Sequence, residues 1–345
     1  MRSIRVGRRA AAAVLTAVLL LTGCGSGGGA SAPPTAQTVE TLEELVAAAK
    51  EEGTLTLYGA PAEPAVKAVA AAFTEKYGVN VNVVRIVSGQ IIQRFSNEIG
   101  ANAPSADVLL MNQTTFLDRA REQGWITPLA DAGIPGYPWT LPEEFLRPDT
   151  GTAVVGLQIR GIAYNTNLVG PDEVPTDWPD IIDPRWSGRI GIADPASAPV
   201  YVGHWYTIGQ AMGDDFLAKV GAQHPKVYAS GSPATAALGA GEIAVFPMNI
   251  ASITAEARDD GAPVEFVVPP VTCADEMQLA LNATAANPNA ARLFVHYLAS
   301  QEGSETLARA GGEKSPYDTD LPELLEWDVE TADEQKDAIV NELTT

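Results

Sequence analysis

The 345-residue chain is short of cysteine, histidine and positive charge: two Cys, three His, and 22 Lys and Arg against 43 Asp and Glu. Cys24 lies near the N-terminus, so Cys273 alone remains for the folded body, and an internal disulfide is excluded. A lone thiol of this kind reads as a buried small hydrophobe. His204, His224 and His296 share no metal-ligand spacing, so neither a resident metal nor a cofactor is expected. The formal net charge of -21 excludes nucleic acid and anionic lipid surfaces as partners of the body. No Gly-x-Ser-x-Gly elbow, His-Glu-x-x-His helix or phosphate-binding P-loop occurs, and no catalytic residue is assigned. Asp107 and Asp194 read as a strand end and a turn former in preference to an acid/base pair.

Long apolar runs are scarce as well, and the clearest is informative. Arg2, Arg5, Arg8 and Arg9 precede an uncharged aliphatic stretch over residues 10–21, which ends in Leu21-Thr22-Gly23-Cys24. The stretch is too short for a stable membrane span, and the pattern is that of a secretory signal with a lipobox. Residues 1–23 are thus expected to be a signal peptide and Cys24 the lipidated, palmitate-bearing N-terminus of a lipoprotein. Removing four arginines and no acid would take the formal charge from -21 to -25. Residues 24–40, rich in Gly, Ser, Ala and Pro at their start, cannot bury a core and read as a flexible tether.

The remaining length exceeds what one core usually organises, so two domains are expected. Leu42, Leu45, Val46 and Ala49 have helical spacing, and Thr54-Leu55-Thr56-Leu57-Tyr58 alternates as a strand. Helices over 66–77, 91–99 and 115–123 then alternate with strands over 79–86 and 106–111. This order predicts an α/β fold of doubly wound, mostly parallel sheets, with ligands beyond the carboxyl ends of strands. A second set of elements follows: extended 152–164, strand 190–193, helices 201–212 and 234–239, and strand 243–247. Strands over 264–268 and 278–282 precede helices over 290–299 and 304–310. The expected division is 41–155 with 264–310 as a discontinuous first lobe, and 156–263 with 311–345 as the second.

Several motifs stand in a familiar order. Leu55-Thr56-Leu57-Tyr58-Gly59-Ala60, Phe73-Thr74-Glu75-Lys76-Tyr77-Gly78-Val79, Ser105-Ala106-Asp107-Val108-Leu109-Leu110 and Gly124-Trp125-Ile126-Thr127-Pro128-Leu129 come first. Arg160-Gly161-Ile162-Ala163-Tyr164-Asn165, Trp186-Ser187-Gly188-Arg189-Ile190-Gly191 and Gly241-Glu242-Ile243-Ala244-Val245 follow. In order and spacing the chain resembles the ferric-type periplasmic binding proteins of ABC importers over almost its whole body. The resemblance implies a two-lobed type II periplasmic-binding-protein fold with a cleft between the lobes, and a monomeric, non-enzymatic lipoprotein on the extracytoplasmic face of the cell membrane. Its partners would be a small-molecule ligand, an ABC permease, and the membrane through Cys24.

The resemblance also locates a site. At the positions where iron-binding members carry metal ligands, this chain has Ala62, Asn112 and Ala251-Ser252, none suited to ferric iron. The places matching the family's anion site carry Gln113, Ser197-Ala198 and Asn249, and Asp194-Pro195-Ala196-Ser197 is expected to open a helix whose free N–H groups favour anions. Ser88 and Gly89 supply further donors at a strand mouth, and Tyr58, Asn112 and Tyr201 complete the expected ligand-binding set. Arg160 either neutralises the ligand or supports the hinge. Tyr201, His204, Trp205 and Tyr206 either wall an organic portion of the ligand or belong to the core. The expected solute bears a phosphate, phosphonate or carboxylate group, the alternative is ferric iron, and a sensory lipoprotein or a tethered enzyme ranks lower.

Overall fold

The computed structural model describes residues 36–112, 114–326 and 329–344, apart from the side chains at 199, 329 and 330. Helix α1 (Leu42–Glu52) starts on a reciprocal Thr41/Glu44 capping box and stops at left-handed Gly53. Strand β1 (Thr54–Gly59), helix α2 (Glu63–Tyr77), β2 (Asn80–Arg85), α3 (Ser88–Gly100), β3 (Val108–Asn112) and α4 (Thr115–Glu122) follow. Then come the short strands β4 (Ile126–Thr127) and β5 (Leu146–Arg147) and the long β6 (Thr152–Asn165). β1 pairs in parallel with both β2 and β3, so the carboxyl ends of all three lie on one edge.

The middle of the chain forms β7 (Gly191–Ala193), α5 (Pro199–Met212), α6 (Phe216–Gly221), β8 (Lys226–Tyr228), α7 (Gly231–Gly239), β9 (Val245–Ile250), α8 (Ala251–Asp259) and β10 (Val264–Val267). β7 and β8 are parallel, and Ile190 bridges Val245 in parallel, so the ends of β7, β8 and β9 also share an edge. The chain closes with β11 (Val271–Thr272), β12 (Ala274–Asn282), α9 (Pro288–Leu298), α10 (Gln301–Gly311), β13 (Glu323–Leu324), α11 (Val329–Glu334) and α12 (Lys336–Thr344).

Strand β6 joins the two lobes. Its first part pairs with β12, from Ala153 opposite Leu279 to Ile159 opposite Ala274, and its last part pairs with β9 and β10. Apolar side chains alternate across the first sheet as the pleat requires. Leu55, Leu57, Val108 and Leu110 pack with Phe73, Phe294 and Tyr297 on one face, while Tyr58, Leu109 and Met111 pack with Phe95 and Phe116 on the other. The second lobe centres on Trp178, Trp186, Trp205, Ile192 and Val245, with Ala163, Leu238 and Phe246 on its opposite face. Gly161 sits where β6 passes between these cores. A Cβ there would lie 2.4 Å from the Val267 carbonyl oxygen, an approach only glycine permits.

The exchange points between lobes differ from the expected 155/156, 263/264 and 310/311. Val264–Val267 pairs with residues 162–165 of β6, because its hydrophobic alternation fits the second sheet, and the chain returns to the first lobe only at β12. The segment after α10 stays with the first lobe: Lys314 bridges Leu157, and Tyr317 and Leu321 pack on the first core. Residues Ala332, Ile339 and Leu343 then join the second core.

Candidate cleft between the lobes

The strand ends of the two lobes meet at Gln158–Arg160 of β6. Asn112, the last residue of β3, donates through Nδ2 to Gln158 Oε1 at 3.2 Å, and Ile250, the last residue of β9, lies opposite Arg160. The helices that follow these parallel strands therefore begin on the two strand-end edges that meet at this crossing. Gly312 completes the approach of the lobes, since a Cβ on it would be 3.6 Å from Cα of Ser252 in the first turn of α8.

Five of these helices, α2, α3, α5, α7 and α8, begin after Ala62, Val87, Ala198, Ser230 and Ile250, none of which bonds the first turn through its side chain. Several other first turns are satisfied, although α6 after Asp215 also lacks a side-chain cap. Thr41, Thr114 and Ser300 cap α1, α4 and α10, and Glu52 accepts from the Asn289 and Ala290 amides of α9. Uncapped first turns leave N–H groups and the positive end of the helix dipole to whatever occupies the cleft, an arrangement suited to anions. Gly89 in the first turn of α3 has nothing within 4 Å of a built Cβ, so that turn faces open space.

A chain of neutral donors and acceptors lines the crossing. Ser88 Oγ donates to Asn112 Oδ1 at 2.9 Å and accepts from the Asn112 amide at 3.1 Å. Gln158 Nε2 in turn donates to Glu313 Oε1 at 2.6 Å. Burial pushes the Glu313 carboxyl up to about 7, with the Gln158 donor and the Arg160 charge opposing and Asp275 adding to the rise. An acid raised on folding stabilises the protein below its unfolded value, and that contribution is lost as pH rises through the folded value. Relative to Glu313→Gln, the solute-free wild type should thus lose about 2–3 kcal/mol of unfolding free energy between about pH 4.5 and 7.5. Urea titrations across that range check it.

Beneath the crossing lies a buried ionic cluster. Asp275 Oδ2 accepts from Arg160 Nη2, and Oδ1 faces His204 Nε2 of α5 at 2.5 Å. Although burial raises the Asp275 carboxyl, the adjacent Arg160 charge and the His204 ring hold it far below the ordinary range. Burial and the Arg160 charge push His204 down, so its imidazole is the neutral donor to this carboxylate. Arg160 Nη1 also donates to the Met248 carbonyl at 3.1 Å. Met248 is the extra residue of a bulge in β9 and has a left-handed φ of 62°, so the guanidinium helps hold a strained turn of backbone immediately before Asn249.

The expected ligand residues fall into distinct groups. Ser88, Gly89 and Asn112 come together at the mouth of the first lobe. Arg160 is buried and engaged with Asp275, the hinge-supporting alternative. Tyr58 faces away from the cleft: its hydroxyl donates to Glu98 at 2.7 Å under the Arg94 guanidinium, and burial with the Glu98 bond pushes it up to about 12. Ala198, not Ser197, is the cap position of α5, and Ser197 Oγ turns back onto the Asp194 carbonyl at 2.7 Å. Tyr201 accepts from the Gly231 amide at 3.4 Å, tying α5 to the start of α7. Asn249 Nδ2 is held by Thr235 and Thr254 at 3.0 and 2.9 Å. Gln113 and Cys24 lie outside the described residues.

Other expectations resolve as packing. Trp205 and His204 are core, and the Cys273 thiol is fully buried and pushed up to about 12 by that burial. Asp107 accepts from the Thr56 and Asn287 amides at 2.8 and 3.0 Å, and Asp194 from the Ala196 amide at 2.9 Å. Sequence reasoning missed Gln158 and Glu313. Their signals were polar residues breaking the apolar run of β6 and a Gly311-Gly312 pair ending a helix just before an acid.

Comparison with known proteins agrees with this architecture. A family model described as bacterial extracellular solute-binding protein matches residues 55–313. An uncharacterized protein of Haemophilus influenzae is 29% identical over 317 residues, covering 85% of this chain and 90% of its own length. The major ferric iron-binding protein of Neisseria meningitidis serogroup B is 26% identical over 283 residues, covering 78% and 82%. Among solved structures, iron-bound HitA from Pseudomonas aeruginosa aligns with a TM-score of 0.65 at 21% identity, over 83% of this chain and 99% of HitA. AfuA from Actinobacillus pleuropneumoniae, with fructose-6-phosphate bound, aligns with a TM-score of 0.59 at 23% identity, over 84% and 97%. At such identities the structures share the fold. With the family model spanning more than half of its length, the chain belongs to the bacterial extracellular solute-binding proteins and is the non-enzymatic, solute-binding component of an ABC importer.

Proposed function

We propose that the cleft captures a small solute bearing a phosphate, phosphonate or carboxylate group, without a metal ion, and that closure of the lobes around it presents the closed form to the permease. The observation that carries this reading is the set of five uncapped helix starts, from both lobes, facing one crossing of strands. Donors from both sides satisfy the oxyanion only when the lobes close, so the solute favours the closed form by its differential affinity. In this reading the protein is a monomer held to the extracytoplasmic face of the membrane by lipid on Cys24.

The relatives that bind iron make ferric ion the alternative cargo. Against it stands the donor set: among the described residues no three His, Cys, Asp or Glu side chains gather as a metal site. Amides and hydroxyls from Asn112, Ser88 and Ser252 suit an anion better than a hard trivalent cation.

A thermal-shift panel on protein stripped of solute by unfolding and refolding tests the proposal, with inorganic phosphate, organophosphates, phosphonates, carboxylates and ferric citrate. A solute at about a hundred times its dissociation constant adds roughly 2.7 kcal/mol. An organic oxyanion is expected to raise the melting temperature with a chelator present. Stabilisation by ferric iron alone would overturn the reading.

A further inference from the structure

The crossing holds an acid that the capture of an oxyanion does not use. Glu313 follows Gly312, the left-handed cap of α10, and its side chain lies beside Gly311, which in turn neighbours Ala65 in the first turn of α2. The Ala65 Cβ is 3.4 Å from a Cβ built on Gly311, and Ser252 faces Gly312. The carboxyl takes its hydrogen bond from a neutral amide, Gln158.

The charged groups around it are engaged elsewhere. Arg160 on β6 is tied to Asp275 on β12, with His204 of α5 on the other oxygen of Asp275. Lys314 reaches Asp320 at 2.7 Å. Glu63 at the start of α2 pairs with Lys67, and the first turn of α8, Ala251-Ser252-Ile253-Thr254, carries no charge. Among the described residues no cation is hydrogen-bonded to Glu313, so the crossing combines helix ends that favour negative charge with a carboxyl whose partner is a neutral amide.

Resting on the proposed capture of an oxyanion, we propose that the solute is zwitterionic, with an ammonium group close to its oxyanion, and that Glu313 is the specificity residue that receives the ammonium. A solute hydroxyl would leave the burial penalty on the carboxylate in place. An ammonium removes it by forming an ion pair away from water, where charge-assisted hydrogen bonds are strong. Burial holds the unliganded acid up to about 7, so arrival of the ammonium below that pH should displace the proton from Glu313 to solvent.

The test compares three phosphate monoesters of similar size by calorimetry: ethanolamine phosphate with an ammonium, ethylene glycol phosphate with a hydroxyl, and ethyl phosphate with neither. Wild type is expected to prefer ethanolamine phosphate over ethyl phosphate by about ten- to a hundredfold. Near pH 6, in buffers of different ionisation enthalpy, wild type should release close to one proton more than Glu313→Gln on binding ethanolamine phosphate, a comparison in which the ester's own second ionisation near pH 6 cancels. Glu313→Gln should also bring the preference to within about threefold. Equal binding of the three esters, or a preference for the hydroxyl ester, would overturn the assignment while leaving oxyanion capture standing. Binding of none, together with no stabilisation by any oxyanion in the thermal-shift panel, would overturn both.

Discussion

Replacing Asp275 with asparagine is expected to lower the unfolding free energy by about 3–5 kcal/mol, the usual result of breaking a buried ion pair from one side. The change is nearly isosteric, so the loss reports charge. Arg160 would keep its guanidinium beneath the crossing with no carboxylate opposite, and the neutral His204 would lose a charged acceptor. At this chain length the melting temperature should fall on the order of 10 °C. The pH dependence has a definite sign. Asp275 is held below its ordinary value of 3.8, so its stabilisation is complete above that pH and is lost as pH falls below it. Wild type and Asp275→Asn should therefore converge in strong acid and differ fully near neutrality. Urea titrations of solute-free protein read both features, and a difference under about 1 kcal/mol at pH 7 would show that the cluster does not lock the crossing.

The second large effect is on binding. Ala251→Pro removes one N–H from the first turn of α8 and leaves the helix intact, because proline is tolerated at the first helical position. The preceding Ile250 has φ -117° and ψ 151°, a conformation that proline accepts from its neighbour. A hydrogen bond to a charged group contributes about 1.5–3 kcal/mol, so affinity for the oxyanion should fall roughly ten- to a hundredfold. Calorimetric titration and a melting curve of the solute-free variant separate the two quantities. Unchanged affinity would remove α8 from the site, and a large fall in the melting temperature would mean that the substitution acted on the fold.

Much of this architecture is legible in the sequence. Leu42, Leu45 and Ala49 lie one helical turn apart, and Thr54 to Tyr58 alternate, so the order of helices and strands follows from local periodicity. The helix starts were legible in part, because Ala62, Val87 and Ile250 carry no side-chain oxygen to cap a helix. Ser197 misled for the opposite reason. A serine before Pro199 looks like a cap, yet its hydroxyl follows the turn made by Asp194 and leaves the cap position to Ala198. Tyr58 stands at the mouth of a strand, but the pleat points its ring toward α3, where Glu98 lies 40 residues away in sequence. Gln158 and Glu313 are 155 residues apart and meet because the segment after α10 returns across β6. No local pattern encodes that meeting.

The most direct measurement is a calorimetric titration of refolded, metal-free protein with a phosphorylated small molecule, with a strong iron chelator in the cell. Saturable binding of one solute per chain, weakened by Ala251→Pro, is the predicted result. Heat that appears only after ferric ion is added in excess of the chelator would contradict an anion site built from helix starts.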